Sequence, residues 1–161
     1  MTFTETIYAA DVMPDQITLQ NGGNQSTTTA FYTLKSAIVT QISETSVNIT
    51  LTVDDLNEIK RRPLLAIDNS TAFLYFSSSA AQDTSTNPLI PVEQDSAIPV
   101  SAYIPDSTKP ELQSFDLDLN TGQLTLKFTE TVNTTTLHVE KLIFQDAERI
   151  NATINYTLTG N

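Results

Sequence analysis

Apolar and polar residues alternate over several short stretches of the chain. Val47, Ile49, Leu51 and Val53 alternate with Ser46, Asn48, Thr50 and Thr52. Leu124, Leu126 and Phe128 alternate with Thr125, Lys127 and Thr129, and Ile150, Ala152, Ile154, Tyr156 and Leu158 alternate with Asn151, Thr153, Asn155 and Thr157. A period of two with one polar side predicts strands that bury a single face. Phe73-Leu74-Tyr75-Phe76 is apolar throughout and predicts a central strand. On this phase the core takes in Phe3, Ile49, Leu51, Phe73, Tyr75, Leu124, Leu126, Phe128, Ile154 and Tyr156.

Two punctuation signals complete the outline. Asn120-Thr121-Gly122 between two alternating runs reads as a hairpin turn. Asp54-Asp55-Leu56-Asn57-Glu58-Ile59-Lys60-Arg61-Arg62 reads as one short helix, capped by Thr52, with Asp55 three residues on, and stopped by Pro63. Its acids open it and its bases close it, as the helix dipole favours. Many short strands with one helix predict an all-β chain, a β-sandwich.

The chain also repeats itself. Phe3-Thr4-Glu5-Thr6 recurs as Phe128-Thr129-Glu130-Thr131, Ile7 matches Val132, and Gln20 matches Gln145, all at an offset of 125. After a one-residue gap, Tyr32-Thr33-Leu34 recurs as Tyr156-Thr157-Leu158. An ordered series of this kind predicts a tandem repeat of domain length. Residues 1–105 then form one unit without the strands that precede FTET. Residues 106–161 form a linker, with Pro105 and Pro110 around a polar turn, and the first half of a second unit that completes a neighbouring one. The chain is expected to begin inside one repeat and end inside the next, as a segment of something longer or as a self-assembling piece. The rival arrangement is one closed sandwich in which residues 110–125 fold back onto residues 1–105.

Composition narrows the partners. Ser and Thr number 39 of 161 residues, which suits strands with hydroxyl-bearing outer faces. The formal charge is −11, so a phosphate backbone or an anionic membrane surface is repelled, and no apolar run approaches a membrane span. There is no cysteine, which excludes disulfides and thiolate metal sites.

Six N-x-S/T sequons occur, at Asn24, Asn48, Asn69, Asn133, Asn151 and Asn155, whereas Asn87 is followed by proline. Asn48, Asn151 and Asn155 fall on the polar phase of their strands, where a glycan meets solvent. Covalent N-linked glycans are therefore expected, and no other cofactor. Asp116, Asp118 and Asn120 have the spacing of a calcium loop, but glycine stands seventh rather than sixth, and the intervening leucines keep core phase. An outward strand edge running into a turn explains them better. His138 is the only histidine, no G-x-S-x-G or glycine-rich phosphate loop is present, and no acid pair stands in a catalytic setting. No enzymatic activity is expected.

Gly122-Gln-Leu-Thr-Leu-Lys-Phe-Thr-Glu-Thr-Val132 resembles the "LTLTFSEPV" strand of bacterial Ig-like domains in surface-layer and adhesion proteins. Tyr32-Thr33-Leu34 and Tyr156-Thr157-Leu158 resemble that family's "YTL" strand. Asp83-Thr-Ser-Thr-Asn87-Pro88 is similar to its "D-x-A-G-N-P" turn, with Ser85 and Thr86 in place of alanine and glycine. The resemblance implies an immunoglobulin-like sandwich, extracellular or at the cell surface, used in arrays. Repeats and sequons together are similar to those of glycan-coated extracellular filaments. The expected role is a structural protomer joined head-to-tail to copies of itself by strand complementation. The alternative is an adhesin or receptor-type module that binds a protein or carbohydrate.

Overall fold

The computed structural model describes residues 1–147 and 152–160. Among these residues ten strands and one α-helix follow one another: β1 Ile17–Gln20, β2 Phe31–Thr33, β3 Ala37–Ser43, β4 Ser46–Leu51, α1 Val53–Arg61, β5 Phe73–Phe76, β6 Ile98–Pro99, β7 Leu112–Asp118, β8 Gln123–Phe128, β9 Ile143–Gln145 and β10 Asn155–Thr157. Every strand pairing is antiparallel. One sheet has four strands in the order β2-β1-β5-β6; β3–β4, β7–β8 and β9–β10 are separate two-stranded sheets. The chain is therefore all-β with one helix, in several small antiparallel sheets. It divides by compactness into Met1–Thr131 and Val132–Asn161.

Within the first unit, alternation places β4 as expected. Val47 is fully buried, Ile49 and Leu51 pack half-buried against the core, and Asn48 and Thr50 face solvent. The run stops at Leu51, because the Thr52 hydroxyl accepts the Asp55 N–H at 3.2 Å and starts α1; Val53 becomes the first helical residue, 73% exposed. Phe73–Phe76 is an interior strand, as its apolar run predicts. The core gathers Ile7, Val12, Ile17, Tyr32, Leu34, Val47, Ile59, Leu65 and Phe76. Of the residues expected there, Phe3, Ile49, Leu51, Phe73, Tyr75, Leu124, Leu126 and Phe128 are only half-buried. Ile154 and Tyr156 are corrections: they are 70% and 60% exposed. Alternation marks which face of a strand is apolar, but no further strand covers β10 among the described residues. Of the expected strand from Ile150 to Leu158 only Asn155–Thr157 forms, as β10; Ala152 to Ile154 and Leu158 lie outside it, and Ile150 and Asn151 lie outside the described residues.

Asp83–Pro88 closes as a tight turn. The Asp83 carboxylate accepts N–H groups of Ser85 and Asn87, both at 2.8 Å, and the Asn87 amide at 2.7 Å. Thr86, at the glycine position of the resembling turn, has φ +67°. A β-branched residue is strained in that region, and the Asp83 clamp holds it there.

The two halves of the sequence repeat share hydrogen bonds as well as letters. β1 and β2 pair as Thr18↔Thr33, Leu19↔Tyr32 and Gln20↔Phe31. β9 and β10 pair as Ile143↔Thr157, Phe144↔Tyr156 and Gln145↔Asn155, the same three pairs at the sequence offset. The short 3-10 turns Ala9–Asp11 and Pro14–Gln16 recur as Thr134–Thr136 and Val139–Lys141. The Leu34 N–H donates to the Ile17 carbonyl at 3.0 Å, and that of Leu158 to Leu142 at 3.0 Å. The Asn21 Oδ1 accepts from Thr29 and Ala30 N–H at 2.9 and 3.0 Å, as the Asp146 Oδ1 does from Thr153 and Ile154 at 3.1 and 3.2 Å. What differs is cover. β1 has β5 along its second edge, whereas among the described residues β9 pairs with β10 alone. Tyr32 is 5% exposed against 60% for Tyr156, and Val12 5% against 44% for Leu137.

Candidate functional site

Of the six sequons, five lie on described residues and Asn151 lies outside them. Asn48, Asn69, Asn133 and Asn155 are exposed and Asn24 is half-buried. In three sequons the hydroxyl at the third position touches the asparagine carboxamide. Ser26 Oγ donates to Asn24 Oδ1 at 2.7 Å, Thr135 Oγ1 to Asn133 Oδ1 at 2.8 Å, and Asn48 Nδ2 donates to Thr50 Oγ1 at 3.2 Å. Such a contact orients the amide whose nitrogen would carry the sugar. At Asn69 the geometry differs: Thr71 Oγ1 accepts the N–H groups of Ile67 and Asp68, both at 3.1 Å, closing a capping box with Asp68.

Asp116, Asp118 and Asn120 each have local duties. Asp116 pairs with Lys127 at 3.0 Å, across β7 and β8. Asp118 Oδ1 accepts the Asn120 N–H at 2.8 Å and the Thr121 N–H at 3.3 Å; the Thr121 and Asn120 contacts hold its pKa low. Gly122 at φ +70° ends the turn. His138 is exposed, its Nδ1 2.9 Å from Glu140 Oε1.

Sequence reasoning assigned Asp55 to helix capping. Its N–H does that, but its carboxylate does something else. Asp55 is 1% exposed and accepts the Tyr32 hydroxyl at 2.6 Å, the Lys35 N–H at 3.1 Å and the Ser36 N–H at 3.0 Å. Burial works against the charge, yet the bonds from Tyr32, Ser36 and Lys35 outweigh it and leave the pKa lowered. The Asp55 bond, then burial, raises the Tyr32 hydroxyl to about 12. The Arg62 guanidinium lies over the Tyr32 ring at 4.6 Å. The spacing of Tyr32 and Asp55 carries no local signal that could have revealed this bond.

The chemistry left open is that of strand edges. β4 pairs with β3 on one side. On the other, the Met1 ammonium donates to the Val47 carbonyl at 2.7 Å, the Val47 N–H to the Met1 carbonyl at 3.0 Å, and the Phe3 N–H to Thr45 at 2.7 Å. Because hydrogen-bonding direction alternates along a strand, Ile49 and Leu51 aim their N–H and C=O groups at that same edge. Past Met1 no other strand of the described residues pairs there. β8 is open in a matching way. The Thr129 N–H donates across the hairpin to Glu111 at 2.9 Å, so by alternation Lys127, Thr125 and Gln123 aim at β7, and Leu126 and Leu124 at the free side. β7 is exposed along its whole length, and the β7–β8 segment is tied to α1 at its ends by Lys60–Asp106 at 2.7 Å and Lys60–Glu130 at 3.4 Å.

Among the described residues no group of three or more His, Asp or Glu side chains could hold a metal ion, and no helix is long and apolar enough to cross a membrane. No family model matches the chain, and neither a curated protein nor a solved structure matches it.

Proposed function

We propose that the chain is a structural protomer of a glycosylated extracellular fibre or tandem immunoglobulin-like array, joined head-to-tail by strand complementation. The observation that carries this reading is the second copy of the β1–β2 arrangement. Residues 134–146 and 153–158 reproduce the turns, strand register and side-chain clamp of residues 9–34, yet leave Leu137, Ile143 and Tyr156 at 44%, 59% and 60% exposure. A segment that is folded but uncovered suits an element that packs on another unit. Such a contact between unlike surfaces does not close on itself and propagates as a fibre. The six sequons, three of them with hydroxyl-to-carboxamide contacts, support a glycan coat and an extracellular setting. The Ig-like sandwich rests on the resemblance of residues 122–132 and of the two YTL strands. No catalytic role enters this reading. Light scattering on the purified chain tests it: concentration-dependent polymers that vanish when residues 107–161 are removed are expected, and a stable monomer at high concentration overturns it.

A further inference from the structure

The geometry points to one acceptor and one donor for this joint: β8 of a second copy of the chain extends along the open edge of β4, residues 126–131 taking the place of Met1 to Thr6. This rests on the head-to-tail reading and specifies its contact.

The sequence repeat sets the register. Leu126 stands where Met1 stands, opposite Val47. Continuing antiparallel, Thr125 falls opposite Asn48, Leu124 opposite Ile49, Gln123 opposite Thr50 and Gly122 opposite Leu51. Two features beyond the repeat agree with this register. The first is side-chain phase: Leu126 and Leu124 join Val47 and Ile49 on the buried side, while Thr125 and Gln123 join exposed Asn48 and Thr50. The second is hydrogen-bonding phase. Val47, Ile49 and Leu51 aim at the open edge, and Leu126 and Leu124 aim at the free side of β8, so donors meet acceptors at the same pairs. The exchange itself follows from the repeat that set the register. Phe128-Thr129-Glu130-Thr131 is identical to the Phe3-Thr4-Glu5-Thr6 that it displaces, so those contacts are lost and regained in kind. The donor gives up the contacts of half-buried Glu130 and Thr131 with α1, the Lys60–Glu130 pair at 3.4 Å and the Thr131–Asn57 hydrogen bond at 2.8 Å. The gain is the pairing of Leu124 and Gly122 with backbone groups that β3 does not reach.

Cysteine cross-linking tests the register, since the chain has no cysteine of its own. Full-length Asn48→Cys is mixed with full-length Thr125→Cys carrying a size tag, and the disulfide-linked heterodimer is followed under mild oxidation. One chain holds one thiol, so a mixed dimer reports contact between copies. Asn48 and Thr125 are both exposed, and a non-hydrogen-bonded antiparallel pair has the Cα spacing a disulfide needs. The control mixes Asn48→Cys with Gln123→Cys, displaced by about 7 Å along the strand. The expected result is that the 48/125 pair links about tenfold faster than the 48/123 pair, because only the former meets disulfide geometry. Chains that polymerise in light scattering but link both pairs equally overturn the edge assignment and leave head-to-tail assembly standing. Chains that remain monomeric and link neither pair overturn both.

Discussion

Asp55 carries more of the fold than its place in an acidic pair suggests. Three donors converge on one carboxylate inside the core. Removing it leaves the Tyr32 hydroxyl and two N–H groups with no acceptor, so Asp55→Ala should cost about 3–5 kcal/mol in urea titration. The folded carboxyl is more acidic than the unfolded one. Its stabilisation is therefore complete above the unfolded pKa and is lost as pH falls through the lowered folded value. Tyr32 has the opposite sign: its folded pKa is raised, so its contribution is present below 10.0 and is lost as pH rises through about 12. Tyr32→Phe should remove that alkaline loss, read as the difference between the two proteins' stability curves. Thr86 argues the other way. Its left-handed backbone costs about 1–2 kcal/mol, so Thr86→Gly, after the entropy glycine adds to the unfolded chain, should stabilise the protein by about 0.5–1 kcal/mol. A loss of stability in the same titration would mean that the threonine hydroxyl matters more than the strain. For the sequons, intact glycopeptide mass spectrometry of native material should find at least three of the six modified, Asn48, Asn151 and Asn155 among them.

At the scale of elements, the sequence was readable wherever local pattern decides. Alternation located β4 and β8, the apolar run at Phe73 located an interior strand, and Thr52 with its acids located α1. Burial was less readable, because it depends on which element lies on top. Phe128 and Ile17 show the difference. Both sit at apolar positions of strands, but β1 is flanked by β2 and β5 and Ile17 is 1% exposed, whereas among the described residues β8 has β7 alone and Phe128 is half-buried. Ile17→Ala should therefore cost about 3 kcal/mol and Phe128→Ala only about 1 kcal/mol in the isolated chain. A Phe128 loss as large as that of Ile17 would place it in a closed core. The Tyr32–Asp55 bond and the open edge of β4 were unreadable for a related reason: both join residues far apart in the chain, and periodicity reports only neighbours. The repeat, by contrast, was visible in letters and recurs in hydrogen bonds, because identical local sequences make identical turns.

For the whole molecule, charge opposes any self-association. Each copy carries a formal −11, so copies repel at long range. Raising ionic strength from about 10 mM to about 150 mM shortens the screening length from about 30 Å to about 8 Å and should lengthen polymers at fixed protein concentration, as light scattering reads it. Polymers that shorten with salt would mean that ion pairs, rather than strand pairing and apolar contact, hold the joint.

If the proposed joint forms, the edge of β4 and the hairpin of β8 also make the assembly directional. One terminus of any chain of copies presents an acceptor and the other a donor, and the two are chemically unlike. Growth can therefore be stopped at one end without touching the other. On the proposed joint, a copy that lacks residues 107–161 and keeps its fold would retain the acceptor and have nothing to pass on, so it should act as a chain stopper. Mean length is then set by the ratio of stopper to intact copies, as in step-growth polymerisation.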